Sequence, residues 1–148
     1  MKRVVIVLFI MLLGSSAFSQ NKYNRQDTLR GSITPERAWW DINYYHLDIT
    51  VDPEERRIFG SNTIRYRVME SAQVMQIDLQ PPLRISSVEQ NGKELEIRQE
   101  GSAHFIVLKE EQNIGEYNEV RVNYGGIPRE AMRPPWDGGI TWKEDGNG

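Results

Sequence analysis

The groups in this sequence that come nearest to metal or acid–base chemistry are two histidines and several paired carboxylates. His46 and His104 lie far apart in the chain, and no H-E-x-x-H sequence is present. A zinc site needs about three or four donors that converge on the metal. The pairs Glu54–Glu55 and Glu110–Glu111 fall in predicted turns, where charged side chains are normally solvated. The sequence therefore predicts no metal site and no catalytic residue within this chain, and both histidines as ordinary strand residues.

The sequence also lacks the motifs of nucleophilic catalysis and of phosphate binding. The chain has no cysteine and no G-x-S-x-G sequence, so neither a thiolate nor a strained serine nucleophile is indicated. Gly125–Gly126 and Gly138–Gly139 do not connect a strand to a helix, as a phosphate-binding loop would. The absence of cysteine further excludes a disulfide framework and a lipid-modified cysteine. The sequence singles out no substrate-binding residue.

The N-terminus has the pattern of a secretory signal peptide. Lys2 and Arg3 precede an apolar run from Val4 to Leu13, and small and polar residues follow as far as Ser19. The run is too short for a membrane span, which needs about 20 apolar residues. We therefore expect residues 1–19 to be removed during export to the periplasm or the cell exterior, with no membrane span in the mature chain.

Length and composition favour one globular domain after this signal. The chain has 148 residues, of which 39% are hydrophobic and 26% are charged. The net charge of −3 is small, and basic and acidic residues are interleaved, so no nucleic-acid partner is indicated. Residues 20–38 are polar and aperiodic, which predicts an extended lead-in. Residues 39–148 form the predicted domain, with Trp39 and Trp40 packing the lead-in onto it.

Alternation with period two dominates the domain and predicts an all-β fold, an antiparallel sandwich or saddle-shaped sheet of about seven or eight strands. The first strand ends in the turn Asp52–Glu55 and returns through Ile58–Val68 as a hairpin. A second hairpin is predicted at Asn91–Gly92, because both residues tolerate positive φ. The expected core takes the apolar side of each strand, namely Leu47, Ile49, Val51, Ile64, Tyr66, Ile77, Leu79, Val107, Val120 and Val122.

The last part of the sequence is rich in glycine and proline, and it carries the most specific motif. Residues 133–139 read R-P-P-W-D-G-G, and Ile140–Trp142 is predicted to begin a strand that runs into a turn. A terminus there would leave this strand unpaired, so we expect the protein to continue beyond Gly148. Apolar area is expected to be exposed in this part, at Pro134, Pro135, Trp136, Ile140 and Trp142.

From about Gly31 to Gly148 the sequence resembles the N-terminal domain of zinc aminopeptidases of the aminopeptidase N family. The resemblance is carried by the first hairpin with its D-P-E turn, the I-D-L-Q segment at Ile77–Gln80 and the N-G-K turn at Asn91–Lys93. Above all it is carried by the P-P-W-D-G-G motif at residues 134–139, followed by Trp142. The motif resembles exported bacterial members that lack the usual disulfides of this domain.

The resemblance implies a saddle-shaped β domain that packs on a following thermolysin-like catalytic domain and helps to form the wall of its substrate cleft. The family removes single residues from peptide N-termini with a zinc-activated water. Its zinc ligands, its G-x-M-E-N loop and the residue of this domain that reaches the substrate amine match no position here. The resemblance thus implies zinc only in the full-length protein, held by residues outside this chain, and peptide substrates for that protein.

An alternative from another functional class is a stand-alone exported β-sandwich. Aromatic faces suit sugar rings and protein interfaces, and this chain offers Trp39, Trp40, Trp136 and Trp142. Such a protein would bind carbohydrate or another protein through exposed tryptophans.

The signal peptide gives a first testable prediction. When the gene is expressed with its own leader in a secreting bacterium, intact mass and N-terminal sequencing should show a mature chain that begins at Gln20. The physical reason is the short apolar run with a basic start and a small-residue exit, which the export machinery cleaves. A secreted product that still begins at Met1 would contradict the prediction.

Overall fold

The computed structural model describes residues 23–146, and within them the chain forms two antiparallel sheets that pack face to face. The larger sheet has the strand order β1-β2-β8-β4-β5, and the smaller has β3-β7-β6. The all-β antiparallel prediction is therefore confirmed. The strands are β1 Trp40–Asp52, β2 Arg57–Val68, β3 Ala72–Asp78, β4 Arg84–Gln90, β5 Lys93–Glu94, β6 Glu96–Glu100, β7 Ala103–Gln112 and β8 Tyr117–Gly126.

The first predicted hairpin is present and forms one side of the larger sheet. β1 and β2 pair antiparallel, with Tyr45 opposite Ile64 and Val51 opposite Ile58. The Asp52 side chain stabilises the turn, because its Oδ1 accepts a hydrogen bond of 3.0 Å from the Glu55 N–H. The register shifts between Ile42 and Tyr44, which makes Asn43 the extra residue of a β-bulge.

The second predicted hairpin is where the chain passes from one sheet to the other. Asn91 and Gly92 have φ values of 53° and 72°, as a two-residue turn with two left-handed positions requires. After the two residues of β5 the chain continues as β6 in the smaller sheet. Leu95 lies at this corner, is buried, and donates its N–H to the Val88 carbonyl at 2.8 Å. The buried side chain of Leu95 therefore anchors the segment between β5 and β6 in the core between the two sheets.

The core lies between the two sheets and is closed at one end by aromatic side chains. The Trp39 ring meets the Tyr66 ring edge to face, with centroids 5.7 Å apart, and Trp40 packs on the same tyrosine at 5.8 Å. The prediction that the two tryptophans pack the lead-in onto the domain is thus confirmed. The buried core residues are Trp39, Ile64, Tyr66, Val68, Met75, Val88, Leu95, Ile106, Leu108, Val120 and Val122.

The predicted core is wrong for β1 and for β7. Leu47, Ile49 and Val51 are 59%, 47% and 53% exposed, because β1 is the edge of a five-stranded sheet and the three-stranded sheet does not extend over it. In β7 the large apolar residues of the core are Ile106 and Leu108, while Val107 is half-buried on the opposite face. The remaining predicted core residues are buried at Ile64, Tyr66, Val120 and Val122, and half-buried at Ile77 and Leu79.

The lead-in is not extended as predicted, because residues 25–31 and 35–38 are helical. Helix α1, Arg25–Gly31, begins with a capping box in which Asn24 and Asp27 exchange hydrogen bonds of 2.9 and 3.0 Å. Helix α2, Pro35–Ala38, has proline in its first turn. The sequence carried these capping signals, but helices this short lack the apolar periodicity that normally indicates them.

Both short helices pack on the face of the smaller sheet that points away from the core. Gln76, which is buried, accepts a hydrogen bond of 2.7 Å from the Thr34 hydroxyl and donates to the Leu29 carbonyl at 3.1 Å. Salt bridges from Arg25 to Glu100 and from Arg37 to Asp78 lie on either side of this contact. The lead-in is therefore part of the folded domain.

The predicted signal peptide, residues 1–19, lies outside the described residues. Between residues 23 and 146 no helix combines the length and the apolar character that a membrane crossing requires.

A matched pair of isoleucine variants tests the corrected core. Ile106→Ala should lower the free energy of unfolding by about 2–5 kcal/mol, because Ile106 is fully buried between the sheets. Ile49→Ala should lower it by less than about 1 kcal/mol, because Ile49 is half exposed on the edge strand. Urea unfolding of both variants measures the difference. Equal losses would mean that β1 is covered as fully as β7.

Candidate functional site

The two histidines are in strands, as predicted, and the structure does not bring them together into a metal site. His46 is exposed on β1 of the larger sheet, with its Nδ1 3.4 Å from the Tyr44 hydroxyl. His104 is buried on β7 of the smaller sheet, opposite Ile77. Within residues 23–146 no group of three or more metal-ligating side chains converges. A zinc ion would therefore lack a ligand set in this part of the chain.

His104 is a structural residue of the smaller sheet. Its Nδ1 lies 3.2 Å from the Ser102 carbonyl oxygen, which can only accept, so Nδ1 carries the proton of the neutral ring. Burial lowers the pKa of His104 below its ordinary value, and this outweighs the opposing effects of the Ser102 carbonyl and the Asp78 carboxylate. The folded domain thus favours the neutral imidazole.

A first candidate interaction surface is the part of the larger sheet that the smaller sheet leaves uncovered. We call it the open face, and it consists of Tyr45, Leu47, Ile49, Val51, Ile58 and Tyr124. It lies on the same side of the larger sheet as the core residues Ile64 and Val122, as the register shows. Apolar side chains at this density on an exposed strand are typical of contact surfaces.

The centre of the open face depends on Gly60, which lies opposite Ile49. A Cβ at this position would be 1.9 Å from the Asp48 carbonyl oxygen, so no other residue type fits the close approach of the two strands. Next to it, the buried Oδ1 of Asn62 has no hydrogen-bond partner within residues 23–146. Leu47 lies directly opposite Asn62 across the hairpin. The open face therefore combines apolar area with one unpaired acceptor.

A second candidate surface is the loop from residue 127 to residue 146, which Asp137 organises. The Met132 N–H donates to Asp137 Oδ2 at 2.6 Å, and an Arg129 guanidinium nitrogen lies 4.0 Å from the same oxygen. Partial burial tends to raise the pKa of Asp137, but backbone N–H groups, with Arg129, lower it below its usual range. A single parallel bridge between Glu130 and Ile140 closes the loop. The aspartate of the P-P-W-D-G-G motif thus holds the loop as an anion.

The predicted strand at Ile140–Trp142 is not formed, because Ile140 contributes only the single bridge to Glu130. The expected exposure of apolar side chains is found at Pro134, Pro135 and Trp136, the last 87% exposed. Ile140 and Trp142 are instead half-buried. Met132, which sequence reasoning missed, is 86% exposed in the same loop.

The tryptophans do not form the shared binding surface that the alternative hypothesis requires. Trp39 is buried, and its Nε1 donates to the Val74 carbonyl at 2.7 Å. Trp40 is half-buried, with its Nε1 donating to the Glu36 carbonyl at 2.9 Å. Trp142 is half-buried and Trp136 is exposed. The first two therefore serve the core, and Trp136 serves the loop surface.

The sequence matches no protein-family model and no curated protein. Its fold matches solved structures of zinc metallopeptidases. A two-domain M1 zinc metallopeptidase bound to L-arginine is 24% identical, with a TM-score of 0.55 over 67% of this chain and 23% of that chain. An M1 zinc metallopeptidase from Deinococcus radiodurans bound to a Tyr-Ser-Ala substrate is 24% identical, with a TM-score of 0.57 over 68% and 24%.

Yeast LTA4 hydrolase in complex with bestatin is 17% identical to the chain, with a TM-score of 0.50 over 59% of this chain and 14% of that chain. At these identities the likeness establishes a shared fold. The chain spans about a quarter or less of the length of the solved chains that it matches.

The buried histidine predicts a pH dependence of stability. Because burial lowers the pKa of His104 in the folded domain below its ordinary value of 6.5, the unfolded chain binds more protons as the pH falls below that value. The free energy of unfolding should therefore fall between about pH 7 and pH 5, and His104→Phe should reduce this fall. Urea unfolding at several pH values measures it, with the exposed His46→Phe as control. An unchanged pH dependence in His104→Phe would show that His104 does not cause the acid sensitivity.

Proposed function

We propose that this chain is the N-terminal, non-catalytic domain of an exported zinc-dependent aminopeptidase, and that it forms part of the wall of the substrate cleft. The observation that carries the proposal is that this chain shares its fold with M1 zinc metallopeptidases. The match covers about a quarter of the length of their chains. The P-P-W-D-G-G motif at residues 134–139, which resembles exported members of the same family, supports it independently. The partner in this proposal is a catalytic domain of the same polypeptide.

The two candidate surfaces support a role beside another domain. The open face and the loop around Trp136 both expose apolar side chains, which a protein normally covers. β1 is in addition an edge strand of 13 residues. Edges of this length are usually paired or covered in soluble proteins. A neighbouring domain that packs on these surfaces would cover both the exposed apolar side chains and the unpaired edge of β1.

The residues that the structure describes do not form a binding site for the zinc ion of the proposed enzyme. His46 and His104 lie on different sheets, one exposed and one buried, and no third donor joins either of them within residues 23–146. In the proposal the zinc belongs to residues outside this chain, and it supplies the activated water for peptide-bond hydrolysis. This domain contributes binding surface only.

Export is the part of the proposal that rests on the sequence alone. The pattern at residues 1–19 supports a periplasmic or extracellular location, and the lack of cysteine means that the domain folds without disulfides. The alternative of a stand-alone sandwich that binds through tryptophans loses support, because Trp39 and Trp40 are used in the core.

The coding sequence beyond codon 148 gives the direct test. We expect it to continue into a domain with an H-E-x-x-H sequence and a later glutamate. In that longer protein, changing the H-E-x-x-H glutamate to glutamine should abolish hydrolysis of aminoacyl-4-nitroanilides, while zinc remains bound. A reading frame that ends after codon 148, with a monodisperse, stable product, would rule the proposal out.

The chain expressed alone from Gln20 provides a further prediction. It should not hydrolyse aminoacyl-4-nitroanilides and should hold much less than one zinc per chain, because the described residues supply no ligand set. It should also self-associate through its exposed apolar side chains, and Trp136→Ser with Leu47→Ser should reduce this association. Size-exclusion chromatography, metal analysis and the assay measure the three properties. A monomer with one tight zinc and measurable turnover would contradict both the assay prediction and the proposed role.

A further inference from the structure

A shallow depression lies on the opposite side of the larger sheet from the core and the open face. Its volume is about 760 Å³. We call it the tyrosine depression, and its lining includes Asn43, Tyr44, Arg65, Asn91, Tyr117 and Glu119. None of these residues belongs to the core or to the two candidate interaction surfaces described above.

The fold brings these side chains together from three strands and one turn. Tyr44, Arg65 and Glu119 are paired in one row across β1, β2 and β8. Tyr117 lies two residues before Glu119 and therefore on the same face of β8. Asn43 is the extra residue of the β-bulge in β1, and bulges commonly redirect side chains at binding sites.

The charges of the depression balance each other. An Arg65 guanidinium nitrogen lies 3.4 Å from a Glu119 carboxylate oxygen, and the guanidinium carbon lies 5.7 Å from the centre of the Tyr44 ring. The guanidinium is thus shared between a carboxylate and an aromatic face. Both charged groups are more than half exposed and keep hydrogen-bonding capacity toward a ligand. Such a site disfavours a strongly charged ligand of either sign.

The aromatic groups of the depression are accessible. Tyr44 is 50% exposed and Tyr117 is 61% exposed. Tyrosine offers a large apolar ring and a polar hydroxyl at little entropic cost, and amide side chains can donate and accept hydrogen bonds at once. Asn91 supplies such an amide from a turn that its own positive φ fixes in place. Rings, amides and one balanced ion pair together suit a ligand with apolar C–H faces and many hydroxyl groups.

We propose that the tyrosine depression binds neutral oligosaccharides, with a pyranose ring stacked on Tyr117 and its hydroxyl groups bonded to Glu119, Arg65 and the amides of Asn43 and Asn91. A β-1,4-linked glucan is the best candidate, because all of its ring substituents are equatorial and leave flat C–H faces for stacking. This site is additional to the proposed role in an aminopeptidase and does not depend on it.

A peptide is the less suitable occupant. β2 is paired on both sides by β1 and β8, so its backbone groups at Arg65 are already used in the sheet, whereas β4 pairs with β8 only between Arg121 and Gly125. An extended peptide therefore finds no free strand edge at Arg65, in the middle of the depression, although main-chain pairing usually provides much of its affinity. Side chains alone line the contact, and they are polar or aromatic.

To test the proposal, the mature full chain is titrated with cellohexaose. Binding is monitored through the amide chemical shifts in ¹H–¹⁵N spectra. We expect saturable shifts that centre on Tyr44, Arg65, Tyr117 and Glu119, without the same shifts from hexagalacturonate, which is anionic. Absence of saturable shifts at about 10 mM cellohexaose overturns the proposal. Shifts confined to other surfaces, or produced at this site only by hexagalacturonate or by a control peptide, also overturn it.

Variants then assign the binding to the depression. Tyr117→Ala should weaken cellohexaose binding by about tenfold, and Tyr117→Phe should keep most of it, because stacking needs the ring. Tyr23→Ala is the matched control, since Tyr23 is 82% exposed in the lead-in, outside the depression, and should leave the affinity unchanged. Glu119→Gln provides a second variant that retains the size of the side chain and should weaken binding. Unchanged affinity in both Tyr117→Ala and Glu119→Gln, with thermal melts like that of the parent, would overturn the assignment.

Discussion

The fold depends on the ring of Tyr66, where the two sheets and the lead-in meet. The rings of Trp39 and Trp40 both pack edge to face against it, and its hydroxyl lies in a polar network at one end of the core. The hydroxyl donates to Gln112 at 3.2 Å and accepts from Gln90 at 3.0 Å. Burial raises the pKa of Tyr66 to about 12, so the phenol stays neutral and serves as donor and acceptor. A network satisfied in this way specifies how the sheets are aligned.

The unequal widths of the two sheets determine which surfaces are left for function. Three strands cannot cover five, so the apolar side of β1 extends beyond the core. Gly60 holds β1 close against β2 at that place, and Asp137 organises the loop that exposes Trp136. The same architecture leaves the outer side of β1, β2 and β8 to polar and aromatic side chains. One sheet therefore presents an apolar surface suited to a neighbouring domain and a polar depression suited to a small ligand.

The lead-in shows how a polar segment without periodicity becomes part of a domain. Leu29 is its buried apolar contribution, and Gln76 satisfies the Leu29 carbonyl and the Thr34 hydroxyl on the far face of the smaller sheet. Arg25 lowers the pKa of Glu100, chiefly through their hydrogen bond, so the ion pair favours the charged carboxylate. Exposed ion pairs contribute little to stability, so the buried side chains Leu29 and Trp39 provide the apolar contacts that hold this segment on the domain.

The sequence by itself determined the positions of the main strands and the hairpins at Asp52–Glu55 and Asn91–Gly92, because these follow from local periodicity and turn chemistry. The motif at residues 134–139 also suggested a resemblance to the aminopeptidase N family. Only the tertiary structure decided which apolar faces are covered. Period two places Leu47 and Ile64 on the same side of a sheet, but it carries no information on how far the opposite sheet extends. The tyrosine depression likewise requires pairing between β1, β2 and β8, because residues 43, 65, 91 and 117 meet only when long-range register is set.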